Sequence, residues 1–96
     1  MTTLAQTLVQ AVGYHQRGHL AQAEQLYRQV LQADPQHVDA LHLLGVIAHQ
    51  VGKSDLAVDY LSQAVRLKPH FAEAHNNLGN ALKDQGKLAA AAASLP

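Results

Sequence analysis

The sequence predicts an all-α solenoid of about two and a half helix-turn-helix units, and three observations carry that prediction. Gly18, Gly52 and Gly86 fall 34 residues apart. The same offset aligns Ala23, Ala57 and Ala91, pairs Pro35 with Pro69, Leu44 with Leu78 and Gly45 with Gly79, and stacks Tyr27, Leu61 and Leu95 in one apolar column. Between the glycines and prolines, apolar residues recur at helical rather than strand spacing. Self-similarity at one fixed interval marks an array in which each repeat is a single supersecondary unit.

Thr2 or Thr3 caps a first helix placed at about residues 4–17, where Leu4, Leu8, Ala11, Val12 and Tyr14 share helical spacing. Gly18 stops it by supplying a left-handed backbone. A second helix over about 20–33 carries Leu20, Ala23, Leu26, Tyr27, Val30 and Leu31. It ends at Asp34-Pro35, because proline pushes the residue before it out of the helical region. The pattern restarts over 38–51 with Leu41, Leu44, Gly45 and Ala48, and Gly52 breaks it. Ser54 or Asp55 caps the next helix, which holds Leu56, Ala57, Tyr60, Leu61, Ala64 and Val65 before Lys68-Pro69. A third unit begins near Ala72, passes Leu78, Gly79 and Leu82, and is predicted to turn at Gly86 into a short second helix, Leu88–Leu95. One domain over 1–96 is expected, with repeats at 4–37 and 38–71 and a truncated repeat at 72–96.

Small residues have a packing role within each unit. Ala11, Gly45 and Gly79 fall on first helices, and Ala23, Ala57 and Ala91 on second helices. Small side chains at a crossing let two helix axes approach to the short end of the usual range of about 8–10 Å. A glycine inside a helix costs about 1 kcal/mol against alanine, so its recurrence points to a close approach that offsets the loss.

Composition narrows the function. Seven basic and seven acidic residues cancel, leaving no positive field to attract nucleic acid or an anionic membrane. No stretch approaches the roughly 20 apolar residues of a membrane span. The start of the chain, Met1–Gly13, lacks the pattern of a secretory signal, so a cytoplasmic protein is expected. With no cysteine, disulfide and thiolate–metal scaffolds are excluded.

The aligned residues resemble the tetratricopeptide repeat, a helix-turn-helix unit of the same length. In the second repeat Leu41, Leu44, Gly45, Ala48, Ala57, Leu61, Ala64 and Pro69 occupy the eight signature positions. The first keeps Ala11, Tyr14, Ala23, Tyr27 and Pro35, with polar Thr7 and Gln10 suited to a terminal cap. The third has His75 at the first large position and keeps Leu78, Gly79, Leu82, Ala91 and Leu95. The resemblance implies a right-handed αα-superhelix, the TPR solenoid, acting as a scaffold for protein interaction. Leu20–Tyr27, Asp39–Val46 and Ala72–Gln85 further resemble the amino-terminal repeats of bacterial proteins similar to the O-linked N-acetylglucosamine transferases. In that family the repeats precede a glycosyltransferase domain and help select protein substrates. A ladder of asparagines lies at the sixth repeat position there; the equivalents here are Val9, Leu43 and Asn77.

Motifs that suggest chemistry have simpler explanations. Gly52-Lys53-Ser54 matches the tail of a phosphate-binding loop, but Ile47 stands where that motif needs glycine, and the segment follows a helix rather than a strand. His15 and His19 are separated by a helix-ending Gly18, and His42 and His49 lie about 10 Å apart along a helix, beyond what one zinc ion bridges. Ser54, Ser62 and Ser94 lack a histidine–carboxylate relay, and Asp55 and Asp59 read as a solvated face. No enzyme activity, cofactor or metal is therefore expected.

The resemblance places the working surface on the first helices, at the second, fifth, ninth, twelfth and thirteenth positions of each unit. These positions give a peptide-binding groove of Leu8, Val12, His15 and Gln16, then Asp39, His42, Val46, His49 and Gln50, then Glu73, Asn76, Asn80, Lys83 and Asp84. Lys83 stands almost alone, which disfavours the carboxylate clamp of chaperone-binding relatives. The expected ligand is a protein or peptide segment with an apolar stretch. His15 and His49 share one repeat position, and their protonation is expected to alter affinity as pH falls. Self-association through the truncated third repeat is also expected, by end-to-end stacking or by exchange of the terminal helix. The competing reading is the substrate-recognition arm of a glycosyltransferase.

Overall fold

A computed structural model describes the backbone over residues 2–93 and the side chains over 2–87. Five helices follow one another: α1 (Leu4–Gln16), α2 (Leu20–Ala33), α3 (Val38–Gln50), α4 (Ser54–Leu67) and α5 (Ala72–Ala93), with no strand among the described residues. The helices α1 and α2 pack as one pair, α3 and α4 as a second, and α5 lies against α4. The assembly is elongated, 55 × 29 × 20 Å, as expected when each unit rests on its neighbours.

Local chemistry fixes the helix ends. Thr3 and Gln6 form a reciprocal capping box at the start of α1: the Gln6 N–H donates to Thr3 Oγ1 and the Thr3 N–H to Gln6 Oε1. Thr7, at a position where the repeat signature is apolar, is buried and satisfies its hydroxyl by donating to the Thr3 carbonyl. Helices α1 and α3 end alike. Gly18 and Gly52 adopt φ of 79° and 82°. Paired bonds from Gly18 to His15 and His19 to Tyr14, and from Gly52 to His49 and Lys53 to Ala48, close both ends in the Schellman pattern. Asp34 and Lys68, each before a proline, leave the helical region at the ends of α2 and α4.

One cap differs from expectation, and another uses a histidine side chain. Helix α4 is capped by the Lys53 backbone, without a side-chain bond, and Ser54 is its first residue and buried; Asp55 lies inside the helix. The cap of α3 is His37, whose Nδ1 accepts from the Ala40 N–H.

The predicted turn at Gly86 is absent: α5 runs unbroken from Ala72 to Ala93. After Gly52 the chain supplies Leu56, Val58, Tyr60, Leu61 and Val65 for a docked second helix, whereas after Gly86 it supplies Leu88 and then five consecutive alanines. Alanine propagates a helix better than any other residue but gives a folded-back hairpin little apolar surface to bury. The continuous helix therefore wins over the turn.

Buried residues form three linked clusters. Ala11, Ala23, Tyr27, Leu44 and Ile47 join α1, α2 and α3; Ala48, Ala57, Leu61 and Ala81 join α3, α4 and α5; Leu41, Ala64 and Ala74 extend the contact of the same three helices. Gly45 sits where close packing was predicted, since a Cβ there would lie 2.5 Å from Leu61 Cγ. Gly79 does not: among the described residues, a Cβ at that position would meet nothing within 4 Å. Its repeat-column partner is Leu95, which lies outside the described residues, as do the side chains of Leu88 and Ala91.

Candidate functional site

The helices α1, α3 and α5 are tied to one another by side-chain bonds that recur at a spacing of 35 residues. His15 Nε2 meets Gln50 Oε1 at 2.9 Å, His42 Nε2 meets Asn77 Nδ2 at 2.9 Å, and His49 Nε2 contacts Asp84 Oδ2. Each bond runs from one first helix to the next, one residue further along than the repeat interval. The bonds thus assemble the first helices into a continuous surface.

The bonding partners determine the imidazole tautomers. Gln50 offers an oxygen to His15 Nε2, so that nitrogen carries the proton. Nδ1 then accepts from the Tyr27 hydroxyl at 3.3 Å. Tyr27 is fully buried, and desolvation raises its phenol from 10.0 to about 12, keeping it a neutral donor. His42 is the reverse case: Asn77 Nδ2 donates to its Nε2, leaving the proton on Nδ1. The His42 ring is buried and packs on Phe71 with centroids 4.6 Å apart. Burial lowers its pKa below the ordinary 6.5, against the opposing pull of the Glu73 and Asp39 carboxylates. His49 and Asp84 stay partly exposed, with side-chain exposures of 32% and 43%. Their contact becomes an ion pair when the ring is protonated, and an exposed pair of this kind contributes little to stability.

The residues predicted for the surface fall into three groups. Leu8 and Val12 are half-buried and pack on the first core cluster, so they support α1 as well as bordering the surface. His15, Gln50, His49, Asp84 and His42 make the inter-helix bonds, and His42 is buried rather than open. Gln16, Asp39, Glu73, Asn76, Asn80 and Lys83 are exposed, and Val46 is half-buried. Two participants, Asn77 and Phe71, were not anticipated. Asn77 was legible as the one asparagine at the ladder position, but its partnership with His42 needed the lateral offset between helices. Among the described residues, no three histidine, aspartate or glutamate side chains converge on a metal-sized site. No helix among them is long and apolar enough to cross a membrane.

The tetratricopeptide repeat family model matches residues 8–70 and again 48–95. The chain belongs to the tetratricopeptide repeat family. Human tetratricopeptide repeat protein 7B is 37% identical over 75 residues, covering 78% of this chain and 9% of that protein. A probable UDP-N-acetylglucosamine–peptide N-acetylglucosaminyltransferase of Arabidopsis thaliana is 37% identical over 69 residues, covering 72% of this chain and 7% of that enzyme. The chain thus spans less than a tenth of the length of these curated relatives. Among solved structures, a Thermobaculum terrenum O-GlcNAc transferase mutant superposes with a TM-score of 0.81 at 37% identity, over 85% of this chain and 17% of that one. The MamA protein superposes with a TM-score of 0.82 at 19% identity, covering 88% of this chain and 46% of that one, a likeness of fold. These neighbours agree with an all-α tetratricopeptide-repeat solenoid, and the repeats match the corresponding regions of the transferases.

Proposed function

We propose that this tetratricopeptide-repeat chain is a non-catalytic, cytoplasmic interaction scaffold that takes an extended or helical protein segment along the surface of α1, α3 and α5. The lateral bonds His15–Gln50, His42–Asn77 and His49–Asp84 carry this reading. They hold three first helices in register, so a ligand meets a prearranged surface and binding orders few side chains. Gln16, Asp39, Val46, Asn80 and Lys83 then lie beside the bonded rows as contact groups. They offer one apolar side chain, amides and both signs of charge.

Peptides selected from a displayed library against the chain test the reading. The triple variant Val46→Ala, Asn80→Ala, Lys83→Ala removes contact groups without touching the inter-helix bonds, and its fold is checked by circular dichroism. Binding at least tenfold weaker supports the surface, and undiminished binding removes it.

The 37% identity to two transferases favours a second reading, in which the chain is a substrate-recognition arm of an O-GlcNAc-transferase-like enzyme. The two readings part on the sequence encoded downstream: a transferase domain in the same reading frame supports the second.

A further inference from the structure

Helix α4 begins with unused donors. Lys53 caps it through the backbone alone, and the Ser54, Asp55 and Leu56 N–H groups reach no acceptor among the described residues. Ala57 is the first residue of the helix whose N–H finds one, the Lys53 carbonyl. Helix α2 starts in the same way, from His19 with no side-chain bond, so the bare donors belong to the repeat. What differs is the first residue. Leu20 leads α2 and packs on the first core cluster, whereas one repeat interval later Ser54 leads α4. A serine in a leucine position leaves room beside the helix start. The hollow there is bordered by Gly52, Ser54, Asp84 and Lys87 on one side and by Lys53, Asp55 and Leu56 on the other.

The Ser54 hydroxyl opens into that hollow. The residue is only 5% exposed, yet its side chain bonds to no described group. Every fully enclosed polar side-chain atom among the described residues does have a partner. The Ser54 oxygen is therefore not enclosed, and it faces the space that the residue lines.

We propose that this hollow binds a phosphate-type oxyanion, held by the Ser54 hydroxyl and the free N–H groups of α4 between the Lys53 and Lys87 ammoniums. Three backbone donors and the positive end of the helix dipole favour negative charge there, and the hydroxyl adds a fourth donor. Lys53 and Lys87 are exposed and make no ion pair among the described residues, so both are available to an anion. Two carboxylates border the same space, and each is turned to another donor. Asp55 Oδ1 accepts from Gln85 Nε2 at 2.8 Å, and Asp84 Oδ2 contacts His49 Nε2. Two ammoniums balance these two carboxylates, so the oriented N–H groups tip the hollow towards an anion. This is not the nucleotide loop that Ile47 and the preceding helix rule out: it seats one oxyanion and offers nothing to a base or sugar.

Titration of the isotope-labelled chain with inorganic phosphate, followed by nuclear magnetic resonance at fixed ionic strength, tests the assignment. The Ser54, Asp55 and Leu56 amide signals should shift saturably, and chloride should leave them in place. Ser54→Leu restores the residue that α2 carries at this position, so the fold is kept, as circular dichroism would verify. By filling the hollow it should weaken binding about tenfold or more. Ser54→Ala removes only the hydroxyl and Lys87→Gln only a charge, and each should weaken binding about threefold. A glycine-flanked phosphoserine peptide is titrated alongside. Tighter binding of the peptide assigns the anion to a modified protein partner, and tighter binding of inorganic phosphate assigns it to the free ion. Shifts no larger than those in chloride, or undiminished binding by Ser54→Leu, overturn the site. Neither titration uses the displayed peptides, so this inference and the interaction surface can fail separately.

Discussion

Gly45 and Gly79 occupy one position in successive repeats, yet substitution by alanine should move stability in opposite directions. At Gly45 the new Cβ would lie 2.5, 2.9 and 3.3 Å from Cγ, Cδ2 and Cδ1 of Leu61. Leu61 is fully buried, and Cγ is the branch point of its side chain rather than a flexible tip. Relief therefore needs a new rotamer in a filled core or a shift of α4 against α3. Overpacking of this kind costs about 1–3 kcal/mol, whereas exchanging a helical glycine for alanine recovers about 1 kcal/mol. The clash sits at the upper part of that range, so Gly45→Ala should destabilise by about 1–2 kcal/mol net. At Gly79 only the propensity acts, and Gly79→Ala should stabilise by up to about 1 kcal/mol. In a domain of this size each kcal/mol moves the melting temperature by about 4–8 °C. Thermal unfolding followed by circular dichroism, at concentrations where the chain is monomeric, reads both signs. In Gly45→Ala combined with Leu61→Ala, the loss should be smaller than the sum of the single losses, because truncating Leu61 removes the clash. A Gly45→Ala variant that melts higher than the parent, as Gly79→Ala should, would refute the close-approach account.

Ala57 is fully buried on the other side of the same crossing, and Ala57→Leu should destabilise by about 1–3 kcal/mol through overpacking; an unchanged urea midpoint would rule that out. Acid should weaken the fold through His42, whose pKa is lowered by burial. Its contribution is complete above the unfolded value of 6.5 and is lost as pH falls through the lower folded value, because the unfolded chain then binds the extra proton. Protonation also turns Nε2 into a donor facing the Asn77 donor. His42→Phe should flatten this part of the pH–stability curve, and a slope equal to that of the parent would remove His42 as its source.

The sequence alone determined the repeat interval, four of the five helices almost to the residue, and the left-handed turns at Gly18 and Gly52. Each follows from local chemistry: helical periodicity, glycine at a helix end, and a proline that expels its predecessor from the helix. It also marked Gly45 as a close approach, because a glycine costs stability in mid-helix, and the same reasoning failed at Gly79, which no described side chain approaches. Tertiary structure decided the rest. Gly86 carries the same local signal as Gly18 and Gly52, but whether a glycine turns depends on the apolar surface the next segment can bury, and five alanines bury little. Likewise the lateral pairing of His42 with Asn77 and of His15 with Gln50 depends on how successive helices slide past one another. No single repeat encodes that offset, so histidines that looked free in the sequence became bonds between helices.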